Sequence, residues 1–516
     1  MRMTLLTLLV LAQSTLFFVI PSLGSSIFLS PDETANAAAA RTFAQAGDLR
    51  VHNQLLREFP WLHPRSFVTQ ETAMVPVGFL GLPVLLAIVW TFVGEWGLIL
   101  YTPLLAISVT YPLWRLSAGW GRRSQVATIA TWMSFPTVIL YANRGLFANV
   151  PVVCLTIWAC YLLWERRTIP RGCVAGMCIG GALALRTTEI IWILPWIALA
   201  WRCRRDRLQH REGRPIVCCI LLTFLPLAFT SFVAWKTYGS PFAVGYFLRD
   251  PIATNAIMMN AETNALASSP RIQWPFGIHP MNVMRNVWFY LVEMLWPWTA
   301  ALVAAFAVVW KKRDARPYLG VGIWTFGALV FIYGHGIYQD HVGVNVVSFG
   351  NSFVRYLIPL AVLVSFAVGV LVAKAPRHLA IAGSVFLAIA GTNLALRGGD
   401  ESVIPARHEL EKYLRIRTDV FALINGRHPS TAENVVVLSD RGDKIFFPSS
   451  LLVTSPIPPA TFVRSLLLNE RIARIHVFSP HPLTQEEFFA WQNVKLKPVI
   501  ATTTNGSILY SLEKQP

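Results

Sequence analysis

The fold turns on Ser30-Pro31-Asp32-Glu33, which follows the charge-free run Met3 to Ile20 and opens the helical pattern Thr34 to Ala46. Crossing hydrocarbon takes roughly 20 apolar residues, so two adjacent carboxylates stand where the chain leaves a bilayer. Locally the tetrapeptide is also a good helix start, with Ser30 as N-cap, Pro31 at the first helical position and Glu33 closing a capping box. Capping accounts well for Glu33 and less well for Asp32. Leu23-Gly24-Ser25 offers the small residues of a cleavage site, but a chain with many later spans needs an anchored first helix, and we read this one as retained.

The rest of the composition agrees with a membrane protein. Of the 516 residues 54% are hydrophobic and 14% charged, with a mean hydropathy of +0.50, more apolar sequence than a soluble core needs. A formal charge of +17 would suit nucleic acid if it formed one patch. Instead the basic residues sit in short loops between apolar runs: Arg115 to Arg123, Arg166 to Arg171, Arg202 to Arg214, Lys311 to Arg316, and Lys374 with Arg377. With Arg2 these loops hold 19 basic residues against Glu165, Asp206, Glu212 and Asp314, and so carry +15 of the +17. That surplus is a topology signal of the positive-inside kind and excludes a nucleic-acid partner. All seven cysteines fall in apolar runs or a basic loop, which is no disulfide framework.

Two apolar runs, Val75 to Val93 and Trp96 to Trp114, are separated only by Gly94-Glu95. If both crossed, every later basic loop would lie outside; if only the second crosses, all lie inside. We therefore expect Val75 to Val93 to lie in or dip into the outer interface. The spans that remain are Val126 to Tyr141, Leu146 to Trp164, Gly172 to Leu185, Ile190 to Trp201, Ile216 to Trp235, Val287 to Trp310, Tyr318 to Gly334, Tyr356 to Ala373 and Leu379 to Leu396. The expected fold is an α-helical polytopic membrane protein of about 11 transmembrane helices, its N-terminus cytoplasmic. Residues 1–396 form the transmembrane domain, with 24–95 as a first external loop, and 397–516 a small extracytoplasmic α/β domain. In that domain the pattern predicts helices over Glu401 to Gly426, Pro458 to Ile472 and Thr484 to Asn493, and short strands at Val435 to Leu438 and Ile475 to Phe478. Asn505-Gly506 signals a hairpin. Asp440-Arg441-Gly442-Asp443 reads as a turn after a strand.

This topology gathers distant polar residues on the outer face: Asp32 and Glu33, Arg144, Arg186 with Glu189, Asp340 with His341, and Arg355. Ionisable groups at the hydrocarbon edge are costly and are functional candidates. Each arginine has a second reading, snorkelling to headgroups or capping a helix end. Glu293, two turns into a span, suits packing against a polar neighbour.

These motifs resemble the GT-C superfamily of integral-membrane glycosyltransferases, in the branch related to protein O-mannosyltransferases and to bacterial lipid A and lipopolysaccharide sugar transferases. Asp32-Glu33 is similar to that family's acidic pair in the first external loop. Leu113 to Arg123 with the helix after it, and Arg144 to Tyr161, follow its next segments, although Asn149-Val150-Pro151 stands where an acid is common. Tyr238 to Tyr246 and Ser348 to Pro359 resemble a loop motif and the segment leading a late span. The resemblance covers about residues 1–396 and supports juxtamembrane helices in the first loop.

The resemblance implies transfer of a sugar from a polyprenyl-phosphate carrier to a glycan, lipid or protein hydroxyl at the outer membrane surface, with inversion. Asp32 would be the base and Glu33 would position it or the acceptor, while Arg355, then Arg186 and Arg144, would meet the donor phosphate. Some relatives use a divalent cation, magnesium or manganese, for which Asp340 and His341 would be the ligands; no other cofactor is implied. The rival classes are a lipid or glycan transporter or flippase, which would put charge near mid-bilayer or in broken helices, and a scaffold presenting the C-terminal domain.

Overall fold

In hydrocarbon a backbone satisfies its polar groups only within a helix or a closed barrel, and the apolar runs here become helices. The computed structural model describes residues 7, 10–20, 27–165, 168–205, 213–245, 248, 277–312, 316–338, 347–426, 434–448, 452–455, 457–458, 460–493, 496–503 and 506–514. The chain divides into two compact units. One comprises Met1–Pro21, Ile99–Thr230 and Ser269–Ala406; the other Ser22–Leu98, Ser231–Ser268 and Arg407–Pro516.

The first unit is helical among the described residues. Glu95–Leu116, Arg214–Tyr238 and Arg377–Arg397 are each long and apolar enough to cross a membrane, and Asn149–Glu165 and Ile358–Lys374 are shorter apolar helices. Two expected spans are not single helices. Val126 to Tyr141 is divided between Arg122–Ser134 and Pro136–Asn143 at Phe135, which is extended at ψ 123°; a proline forces this on the residue before it. Val287 to Trp310 bends by 95° at Leu295, between the π-helix Val287–Met294 and the helix Trp296–Trp310. There the Leu295 N–H bonds the Tyr290 carbonyl at 3.0 Å, and the Thr299 hydroxyl donates to the Leu291 carbonyl at 2.8 Å. The carbonyl left over by the break is thus satisfied within the chain, as an apolar solvent requires.

Close packing in this unit depends on small residues. Gly172, Gly176 and Gly180, four apart on the helix Ile169–Leu185, face the backbone carbonyls of Pro215, Cys219 and Thr223 on Gly213–Tyr238, and a Cβ at any of the three would overlap the facing oxygen. The facing residues advance together, so these segments run parallel at backbone contact, the packing that spaced glycines permit. From Ser124 to Ser134 the helix Arg122–Ser134 is largely buried although polar, and Ser124, Thr128, Thr131 and Ser134 donate to carbonyls four residues back. Buried Asn143 accepts from the Val19 and Ile20 N–H groups at 2.8 and 3.0 Å and donates to the Leu16 carbonyl at 2.6 Å, closing the end of the first apolar segment.

In the second unit Pro31–Ala46 starts as the sequence predicts: the Glu33 N–H donates to Ser30 Oγ at 3.2 Å, Pro31 holds the first position, and Gly47 ends the helix at φ 68°. Beside it lies Gly81–Val93, tied by Arg41 to Glu95 at 2.7 Å. The expected run from Val75 begins instead in a strand, so this helix has 13 residues, about 20 Å against roughly 30 Å of hydrocarbon. Strands β1 (Val51–His52), β2 (Phe67–Gln70) and β3 (Ala73–Pro76) form an antiparallel sheet in the order β1-β3-β2, which sequence patterning missed. The Tyr238 hydroxyl donates to the Pro76 carbonyl at 2.6 Å, and Gly245 lies against Pro76 and Val77 too closely for any side chain, so the expected loop motif docks on the end of β3.

The C-terminal part of this unit adds β4 (Asn434–Ser439), β5 (Leu452–Thr454), β6 (Ile472–Ser479), β7 (Leu496–Thr502) and β8 (Ile508–Lys514), in the order β5-β4-β6-β8-β7. The first three are mutually parallel and the β7–β8 hairpin is antiparallel, as the turn signal predicts. Helices Val403–Gly426, Ala460–Leu467 and Gln485–Asn493 match the expected ones to within a few residues, although Ala460–Leu467 is shorter. The sheet does not bury its core alone. Trp61, Leu62, Phe67 and Ala38 join Val420, Val436, Phe446 and Val477 in one apolar cluster, and Phe67 packs edge-on against Phe447 at 5.2 Å.

Candidate active site

In the helical unit the chain turns sharply after Ile169–Leu185. Arg186 is extended at φ −156°, and the single turn Thr187–Glu189 leads into the next helix. The two helices meet at 118°. That turn brings Arg186 Nε to 3.2 Å from Glu189 Oε1. Glu189 is 4% exposed, and a carboxylate buried to that extent needs several donors. It has them: the Tyr333 hydroxyl donates at 2.7 Å, and the Trp192 indole N–H bonds the other oxygen. Arg186 Nη2 also donates to the Tyr333 hydroxyl at 3.3 Å.

Tyr333 ends the helix Arg316–Tyr333, and its ring stacks on Tyr356 at 4.1 Å. Tyr356 belongs to the short helix Ser352–Tyr356, which Asn351 starts by accepting the Phe353 N–H at 2.9 Å. The Tyr141 hydroxyl holds the Gly350 carbonyl at 3.0 Å. The segment Ser348 to Pro359 is thereby fixed, and it presents Arg355 and Tyr356 together.

Two rings link the three arginines expected at a phosphate. The Arg144 and Arg355 guanidinium carbons lie 5.1 and 4.6 Å from the Phe147 ring centroid. Those of Arg355 and Arg186 lie 5.5 and 4.6 Å from the Tyr356 centroid. A guanidinium resting by its face on a ring gains about 0.5–2 kcal/mol and keeps its planar N–H fork for an oxyanion. Arg144, Arg186 and Arg355 are thus one cluster built from segments more than 200 residues apart in the case of Arg144 and Arg355.

Asp32 and Glu33 belong to the other unit. Asp32 is partly buried in the first turn of Pro31–Ala46 and accepts a hydrogen bond from Ser66 Oγ at 2.7 Å. Glu33 is 3% exposed, so both carboxylates are more enclosed than a simple solvent-facing cap. Asp340 and His341 lie outside the described residues. Among the described residues no three His, Cys, Asp or Glu side chains form a set that fits a metal ion. Glu293 is exposed on the π-helix and accepts from the Trp288 indole at 2.6 Å.

Sequence reasoning named the arginines and missed the rings beside them. Phe147 lies three residues after Arg144, and Tyr356 next to Arg355; such neighbours were the available signal. It also missed Arg65 and Ser66, whose partners lie far away in the chain.

No family model matches the chain, and no curated protein sequence matches it. In structure it is similar to the crystal structure of ArnT from Cupriavidus metallidurans bound to undecaprenyl phosphate, with a TM-score of 0.54 and 11% identity, over 99% of this chain and 98% of that one. A likeness at that identity speaks for the fold. The chain is mostly helical with several apolar spans and a C-terminal mixed sheet, and its fold is similar to that of ArnT.

Proposed function

We propose that this protein transfers a sugar from a polyprenyl-phosphate donor to an acceptor hydroxyl of a glycan, lipid or protein at the extracytoplasmic face of the cell membrane. The observation that carries this reading is the ring-linked cluster of Arg144, Arg186 and Arg355, three cations drawn from distant helix ends. The ArnT fold, found there with undecaprenyl phosphate, supports it. About 11 crossings with a cytoplasmic N-terminus put these groups and residues 397–516 on the outer side.

In the reaction Asp32 takes the proton of the acceptor hydroxyl, with Glu33 holding it or the acceptor in place. The acceptor oxygen forms a bond to the anomeric carbon as the bond from that carbon to the phosphate oxygen breaks, inverting the centre. The phosphate leaves as an anion, so no proton donor is needed there, unlike glycoside hydrolysis. The arginine cluster binds that anion and stabilises the charge it gains.

Broken helices favour one other reading, a transporter or flippase, since the chain bends by 118° and 95° within apolar pairs. Purified protein in nanodiscs, given a panel of radiolabelled polyprenyl-phosphate sugars, separates the two. Transfer by wild type that is lost in Asp32→Asn, with folding intact, supports the enzyme and its base. Equal activity of Asp32→Asn removes Asp32 as base. Donor binding and bilayer translocation without transfer would overturn the transferase reading.

A further inference from the structure

Asp443, the first residue of the short helix Asp443–Phe446 after β4, has no part in the chemistry above, yet it is 1% exposed. Its partner is Arg65. Oδ2 accepts the Arg65 backbone N–H at 2.8 Å, and Oδ1 accepts Nη2 at 2.6 Å and Nε at 3.0 Å. Three charge-assisted bonds from one residue fix both its main chain and its side chain. The next residue, Ser66, has φ 64°, a left-handed conformation unfavourable to any residue with a Cβ, and its hydroxyl donates to Asp32 Oδ1 at 2.7 Å.

The neighbouring Lys444 grips the other side of the same helix start, donating from Nζ to the Leu29 carbonyl at 3.0 Å. Thr454, at the end of β5, donates to the Trp61 carbonyl at 2.9 Å. Leu29, three residues before Asp32, and Ser66, bonded to it, thus lie in segments held from the short helix after β4 and from the end of β5.

We infer that Asp443 and Arg65 are positioning residues that act on the Asp32 carboxylate through the Ser66 hydroxyl. This rests on the reading of Asp32 as the base. A hydroxyl donating to one carboxylate oxygen at 2.7 Å fixes the orientation of the group, so Ser66 aims the Asp32 carboxylate. Asp443 keeps Ser66 in the backbone conformation from which it can do so.

The test uses the full chain in nanodiscs with kcat and KM for the donor, determined separately, as readout. Ser66→Gly removes the hydroxyl while suiting a positive φ, so loss of activity cannot be blamed on backbone strain. It should lower kcat about tenfold and leave KM for the donor within about twofold. Asp443→Asn should lower kcat in the same way, and the double variant should be no worse than Ser66→Gly alone, within about twofold, because the two act in series.

A purely structural role predicts a lower melting temperature in Asp443→Asn with kcat of the folded protein unmoved, and that result overturns the inference, as does a silent Ser66→Gly. If Asp32→Asn is inactive while both variants keep the wild-type kcat, this inference fails alone; if Asp32→Asn is fully active, the reading of the base fails first. Where no donor is turned over, hydrogen exchange decides: Asp443→Ala should raise exchange at the Arg65 amide at least tenfold, and unchanged protection refutes the clamp.

Discussion

Glu189→Gln tests whether the arginine cluster is one coupled assembly. The substitution keeps volume and removes the charge facing Arg186 at 3.2 Å, where the two side chains are 12% and 5% exposed. Removing one partner of a buried pair costs about 3–5 kcal/mol. Arg186 keeps the Tyr356 and Tyr333 faces, at 4.6 and 5.6 Å, which offset about 1 kcal/mol. The amide of glutamine also places a donor toward either the Trp192 indole or the Tyr333 hydroxyl, and only the hydroxyl can rotate to accept. The net loss expected is about 2–4 kcal/mol. Tyr333→Phe removes one hydrogen bond and should cost about 1 kcal/mol. In a double-mutant cycle followed by denaturant unfolding in mild detergent, the pair should couple by about 0.5–3 kcal/mol. Additive losses, or a Glu189→Gln protein as stable as wild type, would refute the claim that Glu189 anchors Arg186 and Tyr333 together.

Arg355→Lys keeps the charge and loses the planar fork, so kcat/KM for the donor should fall about 10–100-fold, with Arg355→Ala lower still; equal kinetics for Lys and Arg would remove the bidentate role. Gly176→Leu drives a side chain into the Cys219 carbonyl, and because backbone cannot yield, stability in detergent should drop by about 1–3 kcal/mol; Gly181→Ala, whose Cβ would meet only Leu155 at 3.4 Å, should be nearly neutral. In the Asp48 carboxyl, burial acts to raise the pKa, but the bonds from Arg50 outweigh it and hold the group below its ordinary value. Its folded pKa is depressed, so its contribution is present above the unfolded value of about 3.9 and fades as pH falls through the folded one. Asp48→Asn should therefore differ from wild type by under about 1 kcal/mol at pH 7, since the pair is part exposed, and the difference should vanish in acid.

The arginines were legible because a charge at the end of an apolar run has no cheap reason to be there. The rings were not, because a chain with 31 Phe and 13 Tyr gives Phe147 and Tyr356 no contrast. The breaks at Phe135 and Leu295 had a written cause in Pro136 and Pro297, which hydropathy windows average away. Gly172, Gly176 and Gly180 carried the four-residue spacing of a close helix contact, a signal that was present and unused. Arg65 and Asp443 are 378 positions apart, and no periodicity spans that distance. Asp443 read as a turn residue because the local pattern, strand then Asp-Arg-Gly-Asp, is satisfied by a turn.

Open α/β sheets commonly bind ligands beyond the carboxyl ends of their strands, where the strand order reverses. In the order β5-β4-β6 that place is the end of β4. Here the chain fills it with its own first loop: Arg65 on Asp443, the Leu29 carbonyl on Lys444 and, at the neighbouring β5, the Trp61 carbonyl on Thr454. A sheet end occupied in this way is poorly disposed to receive an acceptor sugar or lipid. It is well disposed to brace what it holds, and the shared apolar cluster of Trp61, Leu62 and Phe67 with Val436 and Phe446 makes that brace part of the core. The C-terminal strands are therefore best understood as the support of the Pro31–Ala46 helix start. On this argument, substitutions at Asp443 or Lys444 should register in the proton transfer proposed for Asp32 sooner than in the choice of acceptor.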